Sequence, residues 1–141
     1  MPEKWDKSEV LLNEVRKLLK SLPPREPFYP GTLQRQQELL RVYPNAEQIG
    51  DEAPRTLVSG IKPVNNNEYA FTHELFGAML AQTYIEGDTP LDYLRNAVSF
   101  CNKKLYGTLG ATILIHPKTM KEMGSELENC IADLKYGAIG I

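Results

Sequence analysis

The sequence predicts an α/β protein with a small, mostly parallel sheet, βαβ crossovers and a helical N-terminal part. Two observations carry that class. Over residues 79–141, short apolar runs alternate with stretches whose apolar residues recur at helical spacing, in the order strand, helix, strand, helix, strand. Such an alternation indicates right-handed crossovers between parallel strands. Ahead of it, Leu11, Val15, Leu18 and Leu22 share one face of residues 7–22, with Lys and Glu on the other.

Each element has a local reason. Pro23 and Pro24 end the first helix. Pro30-Gly31 suits the central positions of a type II turn, and Thr32 is placed to cap a second helix reaching about Tyr43. Asn45, Gly50, Asp51 and Pro54 mark 44–55 as loop. Residues 55–61, RTLVSGI, read as a short strand, and 62–71, KPVNNNEYAF, as a polar loop. The run 79–85 is a strand and EGDTP, 86–90, a turn. Thr89 is the expected N-cap of the next helix, with Pro90 at its first position and Asp92 near the positive end of its dipole. That helix carries Leu91, Leu94, Val98, Cys101 and Leu105 on one stripe. GATILIHP, 110–117, is a compact β-branched strand. From Pro117 a single helix is expected, with Met120, Met123, Leu127, Cys130 and Leu134 in line. After Gly137, AIGI begins a last, buried strand.

Length and composition bound the function. A chain of 141 residues is one domain's worth and long enough to bury roughly two-thirds of its unfolded surface. It divides into an N-terminal part, 1–67, of helices, loop and short strand, and a βαβαβ core, 68–141. The composition, 42% hydrophobic and 24% charged with a net charge of -2, is that of an ordinary globular protein. Scattered Lys and Arg argue against a nucleic-acid partner. No apolar window is long enough to span a membrane. The charged N-terminus lacks the apolar core of a signal peptide, so a cytoplasmic location is expected. The sequence stops at Ile141 within an apolar strand pattern, and the alternation of elements starts late, so the chain is expected to be a piece of a longer domain.

Few residues offer chemistry. The glycine pairs Gly107/Gly110 and Gly137/Gly140 do not make a dinucleotide fingerprint, which needs G-x-G-x-x-G between strand and helix. His73, His116, Cys101 and Cys130 show no metal-ligand spacing. Both cysteines fall on apolar helix stripes, where a thiol packs rather than reacts. The stretch Glu74-Leu75-Phe76-Gly77 at the mouth of the strand 79–85 stands apart. Its plain reading is a surface acid, a core aromatic and a turn glycine. Its functional reading is a ligand crevice, since polar residues at strand ends line the binding sites of open α/β proteins. There a carboxylate accepts both hydroxyls of a ribose, an aromatic offers a flat apolar face to a ring, and a glycine admits close backbone approach.

The order of features resembles the C-terminal part of the aldehyde dehydrogenase superfamily. HELFGAML, 73–80, is similar to that family's Glu-x-Phe-Gly motif leading into a strand. TPLDYLRNAVSFCNKKLYGTLGA, 89–111, is similar to the helix that follows, and GAIGI, 137–141, to the family's closing strand. The resemblance covers 68–141, while 5–67 fits less well. It implies an incomplete aldehyde-dehydrogenase-like catalytic domain, from an enzyme that oxidises an aldehyde to an acid with NAD or NADP. It further implies that Glu74 holds the nicotinamide ribose and Phe76 flanks the nicotinamide. The chain departs from the pattern at Ala78, where the family has proline, which loosens the turn.

In that family the nucleophilic cysteine precedes this motif, and residues 1–73 contain no cysteine. The isolated chain is therefore expected to carry no catalytic residue, no metal and no tightly bound cofactor, and to oxidise no aldehyde. Apolar surface meant for missing parts is expected to drive self-association. A second reading is a natural short, non-catalytic binding or oligomerisation module, with the helix at 7–22 docking a partner.

Overall fold

The computed structural model describes residues 1–64 and 67–141, so the Asn65-Asn66 portion of the expected polar loop lies outside the described residues. The backbone gathers into two compact units, one of Met1 and Trp5–Tyr84, the other of Pro2–Lys4 and Ile85–Ile141.

The first unit contains α1 (Ser8–Ser21), α2 (Thr32–Val42), β1 (Glu47–Ile49), β2 (Arg55–Ile61), α3 (Tyr69–Thr72) and β3 (Met79–Thr83). Its sheet has the order β1-β2-β3. β1 runs antiparallel to β2, with Glu47 opposite Leu57, and β2 runs parallel to β3, with Thr56 opposite Met79. As the central strand, β2 buries Thr56, Leu57, Val58 and Ile61. Leu12, Leu39, Phe71 and Met79 complete the buried apolar set of this unit. The Arg16 guanidinium grips the Glu47 carboxylate twice, from Nε and Nη2, each at 2.8 Å. That paired geometry holds the Glu47 carboxyl below its ordinary range. Arg55 donates to the carbonyls of Leu19 (3.1 Å) and Pro23 (2.6 Å), at the end of α1 where backbone acceptors lack helical partners.

Four expectations for this unit change. The loop expected over 44–55 contains β1, a strand made by its pairing with β2 and invisible as pattern because Glu47 and Gln48 are both polar. The polar loop expected over 62–71 contains the start of α3. Thr32 is the first residue of α2 rather than its cap: Gly31 holds the cap position and the Thr32 hydroxyl donates back to the Tyr29 carbonyl at 2.8 Å. The type II turn takes precedence there, with Gly31 at φ 76, ψ 4 and Thr32 N–H bonded to Tyr29 O. On α1 the buried face runs through Ser8 and Leu12, so the expected stripe leaves Leu18 and Leu22 exposed.

The second unit contains α4 (Pro90–Lys104), β4 (Gly110–Thr112), α5 (Pro117–Met123), α6 (Ser125–Asp133) and β5 (Ala138–Gly140). Thr89 caps α4 as expected: its hydroxyl oxygen accepts the Asp92 N–H at 3.1 Å and its proton goes to the Asp92 carboxylate at 2.7 Å. Leu94 and Val98 of α4 pack with Leu127 and Cys130 of α6 and with Leu134. Ala111, Met120, Met123 and Ile139 close around that cluster. The Asn102 side chain fastens the end of α6, donating to Asp133 O (2.7 Å) and accepting Lys135 N–H (2.9 Å). β4 and β5 pair in parallel, with Ala111 opposite Ile139.

Here too details differ. The helix expected from Pro117 is broken into α5 and α6 by Gly124, whose φ 52, ψ -130 lies outside helical space. The strand expected over 110–117 contracts to three residues. The last strand is not buried: Ala138 and Gly140 are exposed, because a two-stranded ladder is covered only where helix side chains reach, as at Ile139. The parallel strands belong to two sheets, not one. The class remains α/β, with parallel pairs β2–β3 and β4–β5 joined through α3 and through α5 and α6.

Candidate functional site around Glu74 and Phe76

The segment from His73 to Ala78 joins α3 to β3, so it sits at the entrance of an edge strand of the first sheet. Its upstream end is anchored firmly. Tyr43 Oη donates to the Glu68 carboxylate and accepts the Ala70 N–H at 3.1 Å, fixing the start of α3. Burial and then the Glu68 contact push the Tyr43 phenol up to about 12, so it stays a donor at neutral pH. The His73 ring stacks on Tyr69, with centroids 4.1 Å apart and planes 13° from parallel. Tyr69 in turn reaches Glu38 of α2 at 3.3 Å.

From that anchor the chain presents Glu74, whose side chain is exposed and makes no hydrogen bond or ion pair to a described residue. Phe76 follows, 39% exposed. The side chain that touches Phe76 is Tyr29: the rings meet edge-on, centroids 4.5 Å apart at 74°. Tyr29 also meets Phe28 edge-on at 5.2 Å. The Phe76 carbonyl accepts from Arg35 Nη2 at 3.1 Å, with longer approaches of 3.4 Å from Arg35 Nε and Thr32 Oγ1. Gly77 is required by packing, since a Cβ there would stand 2.4 Å from Thr32 Cγ2. Glu74 and Phe76 thus share a solvent-open segment, with an unengaged carboxylate and a partly open aromatic ring.

Tyr29, Thr32 and Arg35 did not stand out in the sequence. The one local trace of them is the Phe-Tyr-Pro-Gly run before α2. Their partner lies 41 to 47 positions away, beyond the reach of helical or strand periodicity.

Other groups are spent elsewhere. A cleft of about 560 Å³ in the second unit is lined by Glu3, Lys4, Glu86, Asp88, Asp92 and Arg95, among others. Lys4 is paired with Asp88 at 2.9 Å and Arg95 with Glu126, so its cations are already neutralised. Cys130 is buried and Cys101 half-buried in the helix packing. Burial pushes both thiols up, which disfavours thiolate. Among the described residues, no three His, Cys, Asp or Glu side chains converge as metal ligands, and no helix is long and apolar enough to cross a membrane.

No protein-family profile matches the sequence, and no curated protein sequence does. Solved structures do. PnpE from Pseudomonas sp. WBC-3 superposes with a TM-score of 0.63 at 14% identity, over 96% of this chain and 30% of PnpE. A salicylaldehyde dehydrogenase from Pseudomonas putida G7, solved with salicylaldehyde, superposes with a TM-score of 0.66 at 14% identity, over 99% of this chain and 29% of the enzyme. The chain therefore spans less than a third of the length of either protein. The likeness takes in residues 1–67 as well as the stretch whose motifs suggested it. At the level of fold, the chain is aldehyde-dehydrogenase-like.

Proposed function

We propose that the chain is the C-terminal part of the catalytic domain of an NAD- or NADP-dependent aldehyde dehydrogenase, a cytoplasmic enzyme in which 1–67 and 68–141 are segments of one domain. The observation that carries this is the near-complete overlay of the chain on under a third of a salicylaldehyde dehydrogenase. The Glu-Leu-Phe-Gly segment, open to solvent at the entrance of β3, agrees with it. Glu74 would accept the nicotinamide ribose hydroxyls and Phe76 would flank the nicotinamide ring. The residues fit such a group: the carboxylate is unengaged, and the ring is steadied at one edge and open elsewhere. The bound dinucleotide would supply the hydride acceptor.

The chain's own part is binding and orientation. With both thiols packed and pushed away from thiolate, neither cysteine is set up as the nucleophile, so the purified chain is expected to show no NAD- or NADP-dependent aldehyde oxidation. Turnover abolished by Cys101→Ser would refute that. Exposed Phe28, Leu109 and Leu114 support self-association of the isolated chain, and a compact monomer across concentrations in small-angle scattering would refute it.

Blotting source-cell extract with an antibody against this chain tests the main reading. A band several times larger, from a protein active on an aldehyde panel with NAD or NADP, supports it. A single band at the mass of the 141-residue chain overturns it. That outcome favours a short binding module, for which exposed Leu18 of α1 and Leu22 at its C-terminal cap would be the docking face.

A further inference from the structure

We propose that Tyr29, Thr32 and Arg35 form a clamp that fixes the ring of Phe76 for its ligand, which makes Tyr29 and Arg35 positioning residues of the site. This rests on the reading of Phe76 as the residue flanking a nicotinamide.

No proline stands between Leu75 and Met79, so nothing covalent stiffens the segment that carries Phe76. The stiffness comes from the start of α2 and the turn before it. The Arg35 guanidinium donates from Nη2 to the Phe76 carbonyl (3.1 Å) and to Thr32 Oγ1 (3.1 Å), and from Nη1 to the Pro30 carbonyl (3.2 Å). Thr32 Oγ1 donates to Tyr29 O (2.8 Å), and its methyl presses on Gly77. One planar cation thus ties the turn to the peptide following Phe76, while the Tyr29 ring meets the Phe76 ring edge-on. Within this chain Phe28, Tyr29 and Phe76 are 89%, 50% and 39% exposed, so the contacts orient an aromatic surface without covering it. Holding an exposed ring in one orientation lowers the ordering cost of a planar ligand that must lie against it.

The chain contains four phenylalanines, so 4-fluorophenylalanine labelling gives four ¹⁹F lines, assignable with single Phe→Leu variants. Arg35→Ala and Tyr29→Ala should shift and sharpen the Phe76 line and leave those of Phe71 and Phe100 in place. Arg35→Lys, with one donor left for the carbonyl, should recover part of the shift. Tyr29→Phe, whose spectrum gains a fifth line, keeps the ring contact and should leave the Phe76 line near its parent position, which guards against a variant that fails to fold. Titration with nicotinamide mononucleotide should move the Phe76 line of the parent chain. In Arg35→Ala its apparent affinity should fall about fivefold, as when the competent orientation drops to a fifth of the population. A Phe76 line unmoved in Arg35→Ala and Tyr29→Ala overturns the clamp. A moved line with an unchanged nucleotide response overturns its role in binding. A parent chain silent to the mononucleotide overturns the reading of Phe76 as a nicotinamide contact instead, and the fluorine lines still decide whether the clamp exists.

Discussion

The two units of the molecule use their apolar residues differently. The second gathers Leu94, Val98, Leu127, Cys130 and Leu134 into one cluster, between two helices whose ends are fastened by Thr89 and Asn102. The first wraps its buried residues about a three-stranded sheet and leaves Phe28, Tyr29 and Phe76 open to solvent around the candidate site. One unit buries its apolar side chains contiguously, while the other holds exposed aromatics through hydrogen bonds to their backbone carbonyls. The proposed contact residues Glu74 and Phe76 lie in the first unit.

The contrast can be broken at its strongest point. Leu127 is 2% exposed at the centre of the helix cluster, and Leu127→Ala should cost roughly 2–5 kcal/mol in denaturant unfolding, lost transfer energy plus a cavity. Leu114→Ala, at a residue 85% exposed in the same unit, should stay within about half a kcal/mol. Equal losses would mean that the cluster is not the core. A smaller effect is expected at the helix start: Thr89→Ala removes the side-chain acceptor of the Asp92 N–H and should cost about 1 kcal/mol, while Thr89→Ser should be nearly silent.

The smallest effect sharpens the description of the first unit. Arg16 lowers the folded-state pKa of Glu47, so the pair contributes stability that is fully present above the ordinary carboxylate value of 4.5 and is lost as pH falls through the lower folded value. Both side chains are partly exposed, which limits the contribution to a few tenths of a kcal/mol up to about 1. Acid titration of unfolding stability should show that loss in the parent chain and not in Glu47→Gln. An identical acid dependence in the two would mean that α1 is not tied to β1 through this pair.

Much of the local architecture was legible. The Pro30-Gly31 turn, the boundaries of β2 and the Thr89-Pro90 start of α4 followed from residues whose backbone preferences are strong enough to act alone. Elements without such preferences escaped notice. β1 exists because β2 offers it a ladder, and the helix from Pro117 breaks at a glycine that the continuous Met120–Leu134 stripe gave no reason to suspect. The candidate site divides in the same way. Glu74 and Phe76 could be singled out because an acid, an aromatic and a glycine before a strand form a local pattern. Tyr29 and Arg35 could not, because they act across a fold.

By itself, then, the sequence determined the α/β class, the chain's helix and turn signals, and the segment on which a ligand would be sought. These depend on period and backbone preference, which act over a few residues. Only the tertiary structure decided that the strands form two sheets, that β5 is exposed, and that the start of α2 holds the Phe76 peptide. Each of those depends on which surfaces meet. Such meetings are set by the burial and hydrogen bonding of residues far apart in the chain, a balance that no local window contains.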